Sequence, residues 1–308
     1  MSGVAVDPRT EIAERIAALK QQRKAVILAH NYQLGEVQDI ADFTGDSLEL
    51  SRRAIDVDAE VIVFCGVMFM AETAKILNPD RTVLIPDPRA GCPLADMAPV
   101  EEVRRKKAEL PGVPVVAYVN TTAAVKAEAD ICCTSANAVE VVESVPEDRV
   151  LFVPDKNLGH WVQRHTKKEV ILWNGHCPTH QRIMAHDVRR LKEQHPEAVL
   201  VVHPECTPEV IDLADEVLST GQMIRWARGA KAKEVIVGTE VGLIHRLKAE
   251  NPEKKFIAVG LLATCPNMKR ITLEKVLWSL EDRQYPVEVA EDVAAKARRA
   301  IARMLEVV

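Results

Sequence analysis

The dipeptide Cys-Pro occurs three times in this 308-residue chain, at a nearly constant interval. Cys92-Pro93, Cys177-Pro178 and Cys265-Pro266 are separated by 177 − 92 = 85 and 265 − 177 = 88 residues. Each follows an apolar run that reads as a buried strand: TVLIP (82–86), EVILW (169–173) and FIAVGLL (256–262). Such a period is too long for a solenoid unit and suits a small α/β domain. The chain is therefore expected to fold as three copies of one unit, with three thiols at equivalent addresses.

The rest of each copy keeps the same order of β-branched runs and helix-like stretches. The first reads AVILAHNY (25–32), a helix led by Gly45-Asp46-Ser47, EVIVFCG (60–66) and TVLIP. The second reads VPVVAYVNT (113–121), CCTSANAVEVV (132–142), RVLFVPDKN (149–157) and EVILW. The third reads AVLVVHPEC (198–206), LSTGQMIRWA (218–227), EVIVGTEVG (234–242) and FIAVGLL. Continuous apolar strands alternating with helices predict short parallel sheets covered on both faces, an α/β class of three αβα domains. The expected domains are 25–110, 111–197 and 198–283. An N-terminal helix within 1–24 (9–24, capped by Asp7 or Thr10) and a C-terminal helix over 284–308, after Pro286, flank them.

In parallel sheets ligands bind beyond the carboxyl ends of the strands, so the residues just after each run matter most. After the first strands stand His30-Asn31-Tyr32, Tyr118-Val119-Asn120 and His203-Pro204-Glu205. After the second come Ser47, Ser135 and Ser219-Thr220; after the fourth come the three cysteines. The intervals 118 − 30 = 88, 203 − 118 = 85, 135 − 47 = 88 and 219 − 135 = 84 follow the cysteine period. A ring of three copies would bring these columns to one central cavity.

Composition narrows the partners. A net charge of −5 with 28% charged residues gives no basic face for nucleic acid. No apolar run approaches the about 18 residues of a membrane span, and the N-terminus lacks the apolar core of a signal peptide, so a cytoplasmic location is expected. Seven cysteines, odd in number and sparse, suit metal or catalysis better than disulfides. Cys65, Cys132, Cys133 and Cys206 read as small buried hydrophobes. No glycine-rich nucleotide loop is present.

Three soft thiolates select an iron–sulfur cluster or zinc. Three without a fourth in register leave a position open for water or substrate, where a metal acts as a Lewis acid. A sulfur-only set favours a 4Fe–4S cluster over catalytic zinc, but the residues alone leave zinc and incidental buried cysteines open. His180, three residues after Cys177, is a candidate fourth ligand, although a helix-packing or solvent-facing histidine is the plainer reading. The hydroxyl column precedes helices, where it can hold carboxylate or phosphate or simply cap the helix. His30 and His203 can supply positive charge or protons. Glu205 suits a general base, and Tyr32 and Tyr118 can donate a proton or orient a carbonyl.

AHNYQ (29–33), GDSLELSR (45–52), YVNT (118–121), CTSANA (133–138), HPEC (203–206), STGQM (219–223) and the three Cys-Pro sites together resemble the quinolinate synthase (NadA) family over residues 12–305. The resemblance implies three αβα domains about a pseudo-threefold axis with a central active site. It implies one 4Fe–4S cluster on Cys92, Cys177 and Cys265 with one open iron. The implied reaction is a dehydrating transfer in NAD biosynthesis, condensing iminoaspartate (iminosuccinate) with dihydroxyacetone phosphate to quinolinate with loss of phosphate and water. Substrate-binding positions fall on His30, Ser47, Tyr118, Asn120, Ser135, His203, Glu205 and Thr220. Catalytic roles fall on Tyr32, His203 and Glu205. L-aspartate oxidase or aspartate dehydrogenase is the implied supplier of iminoaspartate. Another iron–sulfur hydro-lyase and a non-enzymatic iron–sulfur sensor are the rival readings.

Overall fold

The structure, a computed structural model, describes residues 8–307. It contains three four-stranded, wholly parallel sheets, each drawn from one contiguous stretch of chain. The first holds β1 (Ala25–His30), β2 (Phe43–Gly45), β3 (Val61–Cys65) and β4 (Thr82–Leu84). The second holds β5 (Val115–Tyr118), β6 (Ile131–Cys133), β7 (Arg149–Val153) and β8 (Glu169–Leu172). The third holds β9 (Val199–Val202), β10 (Glu216–Val217), β11 (Glu234–Gly238) and β12 (Lys255–Ala258). The spatial order is the same in each: β2-β1-β3-β4, β6-β5-β7-β8 and β10-β9-β11-β12. The central strands are almost wholly buried, as continuous apolar runs require.

Two further repeated devices build each unit. An aspartate before every second strand reaches back to a first-strand N–H: Asp42 Oδ2 accepts from Ile27 at 2.7 Å, Asp130 from Val115 at 2.8 Å and Asp215 from Leu200 at 2.7 Å. A cation before every fourth strand donates to the carbonyls ending the helix that follows the second strand. Arg81 Nη1 reaches Ala54 O at 3.1 Å, Lys168 Nζ reaches Val142 O at 3.0 Å and Lys254 Nζ reaches Ala230 O at 2.8 Å. Those carbonyls are the orphan acceptors of a helix C-terminus, where positive charge is favourable.

Several boundaries differ from the sequence reading. The strands are shorter than the apolar runs, because Asn31-Tyr32, VNT and HPEC leave the sheets as turns. The second strands are only two or three residues long. The N-terminal helix spans Pro8–Arg23, with Thr10 inside it and Asp7 outside the described residues. Its Ile16 packs with Val276 and Leu280 against the first sheet. The C-terminal helix starts only at Glu291. Before it the chain is extended along the sheet edge: Ile85 N–H donates to Tyr285 O and Val287 N–H to Val83 O at 2.8 Å. That edge pairing supplies the backbone partners a longer helix would have needed. No helix among the described residues is long and apolar enough to cross a membrane.

Candidate functional site

The carboxyl ends of the three sheets border one cavity, with about 610 Å³ of empty space including its mouth. Each unit contributes four of the residues singled out in the sequence. His30, Tyr32, Ser47 and Cys92 come from the first unit. Tyr118, Asn120, Ser135 and Cys177 come from the second, and His203, Glu205, Thr220 and Cys265 from the third. Val67, Phe69, Met70 and Met268 form an apolar wall beside them.

The thiols owe their placement to the following proline. Cys92 and Cys177 are the N-cap residues of one-turn helices, Pro93–Asp96 and Pro178–Gln181, and proline suits the first helical position because that N–H has no partner anyway. The next backbone N–H groups then turn toward sulfur: Leu94 and Ala95 toward Cys92, His180 toward Cys177, Asn267 and Met268 toward Cys265. Asp155 Oδ2 accepts the Cys177 N–H at 3.0 Å and Glu240 Oε1 accepts the Cys265 N–H at 2.9 Å. In the first unit the corresponding place after the third strand is Val67. Burial pushes the Cys92 thiol up to about 12 and raises those of Cys177 and Cys265. The other four cysteines are fully buried away from the cavity.

The hydroxyl column divides its labour. Asp46, not Ser47, caps the helix Ser47–Asp56, its Oδ1 accepting from Leu48 and Glu49 N–H. Ser219 caps the helix Thr220–Gly229 by accepting from Gln222 N–H, and donates to Asp46 Oδ2 at 3.2 Å. Ser47 and Thr220 are thus relieved of capping and line the cavity as first helical residues. Ser135 lies two residues before the N-cap Asn137 and caps nothing; it bonds His203 Nε2 at 3.1 Å. The register across copies is therefore Ser47, Ser135 and Thr220, with Ser219 one place off.

His30 and His203 share one local turn. Tyr32 N–H donates to His30 Nδ1 at 3.2 Å, and Glu205 N–H donates to His203 Nδ1 at 3.3 Å. With Nδ1 accepting, Nε2 carries the proton in each ring. Burial pulls both imidazoles down to about 3, outweighing the pull of Glu205. They are neutral donors near pH 7, so they supply hydrogen bonds and not positive charge, one of the two roles the sequence offered. The 3.4 Å approach of His203 Nδ1 to Glu205 Oε2 is accordingly no ion pair.

Glu205 is the ionised centre. Burial opposes its charge, but His180 and the Tyr118 hydroxyl outweigh it and hold the carboxyl down to about 2. His180 Nδ1 lies 2.9 Å from Oε2 and Asn120 Nδ2 lies 3.4 Å from Oε1. The other carbonyl oxygen of this region, Asn120 Oδ1, is buried without a partner, leaving an acceptor for a ligand donor. Tyr32 OH contacts Thr239 Oγ1 at 2.6 Å and His180 Nε2 at 3.4 Å. Burial raises both Tyr32 and Tyr118 well above the usual phenol value, so both keep their protons.

His180 is therefore neither solvent-facing nor mere helix packing; at 1% exposure it joins Cys177, Glu205, Thr239 and Tyr32. Thr239, Asp155 and Glu240, by contrast, were not anticipated. They follow the third strands at 240 − 155 = 85, a column whose period is broken to the eye by Val67.

The sequence profile of the NadA family, described as quinolinate synthetase A protein, matches residues 14–306. The chain belongs to that family. It is 61% identical over 296 residues to the quinolinate synthase of Dehalococcoides mccartyi, covering 96% of this chain and 98% of the relative. The quinolinate synthase of Thermodesulfovibrio yellowstonii is 58% identical, with 96% and 98% covered. That of Methanosarcina barkeri is 55% identical, with 97% and 98% covered. NadA membership makes the chain an enzyme with small-molecule substrates and implies an iron–sulfur cofactor. The donor set fits one. The Cys177 thiol feels Cys92, and Cys92 feels Cys265. Yet the three sulfurs do not form a group within 4.8 Å, a span met only by Cys177, His180 and Glu205 among the described residues. Thiolates around one tetrahedral zinc lie about 3.8 Å apart. Three soft thiols, one from each unit at one cavity, suit an iron–sulfur group.

Proposed function

We propose that this chain condenses iminoaspartate with dihydroxyacetone phosphate to quinolinate, releasing phosphate and water. The observation that carries the reading is the meeting of three half-buried cysteines with an ionised carboxylate, two phenols and three hydroxyls around one cavity. Cys92, Cys177 and Cys265 would hold a 4Fe–4S cluster, and Ser47, Ser135, Thr220, His30 and Asn120 would hold substrate. When bound, such a cluster with one open iron supplies Lewis-acid polarisation of a substrate oxygen.

The chain's own residues account for the remaining chemistry. Two helix N-termini, each fronted by a hydroxyl not used in capping, offer donors to carboxylate or phosphate oxygens. His30 and His203 add neutral N–H donors, so anion binding rests on dipoles and hydrogen bonds. Asn120 Oδ1 is free to accept from the imino nitrogen or a substrate hydroxyl. Glu205 takes a proton from substrate carbon or nitrogen as general base, and His180 and Asn120 orient its carboxylate. Tyr32, a phenol held by Thr239, returns a proton to a departing hydroxyl. A cytoplasmic location beside an aspartate-oxidising enzyme, such as L-aspartate oxidase or aspartate dehydrogenase, would suit a short-lived imine substrate.

Phosphate release separates this reading from an iron–sulfur hydro-lyase acting on a hydroxy acid. Anaerobically prepared protein should contain about four irons and four sulfides per chain. It should release phosphate from dihydroxyacetone phosphate only when iminoaspartate is present. Phosphate-independent dehydration of a hydroxy acid would favour the hydro-lyase, and a loaded cluster with no turnover would favour a sensor.

A further inference from the structure

We infer that in the cluster-free chain Cys177 Sγ, His180 Nδ1 and Glu205 Oε2 form a mononuclear site for a borderline divalent cation, best matched by zinc. These donors all lie within 4.8 Å of one another. His180 Nδ1 is 2.9 Å from Glu205 Oε2 and 3.1 Å from Cys177 Sγ. Donors around a tetrahedral zinc are about 3.3–3.8 Å apart. The two His180 edges reach that range by opening a few tenths of an ångström, and the Cys177–Glu205 edge already lies within 4.8 Å. One sulfur, one nitrogen and one oxygen suit zinc; magnesium and calcium demand oxygen.

The surroundings have the form of a supported site. A ligating histidine ordinarily donates its second ring N–H to a fixed acceptor, and His180 Nε2 lies 2.8 Å from Thr239 Oγ1. Side-chain exposures of 1% for His180 and 3% for Glu205 keep the two rigid donors out of bulk water. All three donors line the cavity, which offers the ion an entry path and a fourth position. Cys92 and Cys265 are outside the 4.8 Å group, so a single ion does not meet all three thiols as they are placed. Zinc and a cluster would compete for Cys177 alone, and zinc loaded first would block iron–sulfur assembly. Only that last consequence depends on the cluster assignment; zinc binding itself does not.

The test is a zinc titration of the full chain, stripped anaerobically with a chelator, against a chromophoric competitor. One zinc per chain is expected. A Cys92→Ser/Cys265→Ser double variant, which cannot build the cluster, should keep that zinc with an affinity within about threefold of wild type, less than the cost of losing even an outer-shell partner. His180→Ala and Glu205→Gln should each weaken it by about tenfold or more, and Thr239→Val by about tenfold. Cobalt in the unmutated chain should show the charge-transfer intensity of one thiolate, a readout that needs no variant. Loss of zinc in the double cysteine variant, undiminished binding by His180→Ala, or a three-thiolate cobalt spectrum would overturn the assignment. If the zinc corner is found and quinolinate activity is not, the functional reading fails and this site stands.

Discussion

Asn31 Nδ2 donates to Thr220 Oγ1 across 2.9 Å, joining the turn after β1 to the first residue of a helix in the third unit. Asn31 is fully buried, and its Oδ1 accepts from Arg246 Nη1 at 2.9 Å. Arginine can only donate, so the amide must turn its N–H₂ toward Thr220. Thr220 Oγ1 then accepts, and its own proton is available to the cavity. Asn31→Leu should weaken substrate binding by about 1–3 kcal/mol, read as a raised KM with a smaller change in kcat. Asn31→Asp is the sharper variant: a carboxylate would accept the Thr220 proton and withdraw it from the cavity. Unchanged KM in Asn31→Asp would remove this pair from substrate binding.

Glu205→Gln keeps the shape of the side chain and abolishes its basicity. Turnover should fall about 10²–10⁴-fold, the range for a general acid–base group. The cluster absorbance should persist, since Glu205 is not one of the three thiols. Steady-state rates alongside the visible spectrum check both halves.

Gly221 is fixed by a close approach. A Cβ there would lie 2.5 Å from Asp46 Oδ2 and 2.8 Å from Glu49 Oε1, where the two helix N-termini meet. Alanine gains about 1 kcal/mol of helix propensity over glycine. Overpacking costs about 1–3 kcal/mol, and Asp46 cannot swing aside without giving up its capping bonds. Gly221→Ala should therefore lower the midpoint of chemical denaturation; a stabilised variant would show that the junction yields.

Asp87, which does not line the cavity, supplies a pH-dependent share of stability. It is 2% exposed; burial favours the neutral form, but Arg89 and Lys275 Nζ at 2.7 Å outweigh it and hold the carboxyl well below its ordinary range. A folded-state value depressed below the unfolded one stabilises above the unfolded value of about 3.9 and is lost as pH falls. Asp87→Asn should cost about 1–3 kcal/mol at pH 7. The gap between wild type and variant should narrow in denaturation curves recorded below about pH 4.

The repeat, the parallel sheets and twelve of the residues lining the cavity were legible because period and chemistry coincided at strand ends. Cys-Pro marked two one-turn helices and, at Cys265, a turn leading into a short 3-10 helix, and the hydroxyls marked three helix entries. What escaped the sequence was division of labour. Nothing in Asp46-Ser47 or Ser219-Thr220 says which side chain caps and which faces the cavity until the helix start is fixed. The neutrality of His30 and His203 depends on burial and on a backbone N–H two residues on, which no pattern of residue types reveals. The Asp42, Asp130 and Asp215 pins kept the period but sit among ordinary surface acids, so their regularity carried no chemical signal. His180 stood out by spacing alone, and only the fold brings it to Glu205 and Thr239.

The central claim is tested most directly by quinolinate formation from iminoaspartate and dihydroxyacetone phosphate under strict anaerobiosis, comparing the iron-loaded wild type with Cys177→Ser. The wild type should produce quinolinate, and the variant should lose both product and cluster absorbance. No quinolinate from iron-replete wild type, or equal yield from a colourless Cys177→Ser, would contradict it.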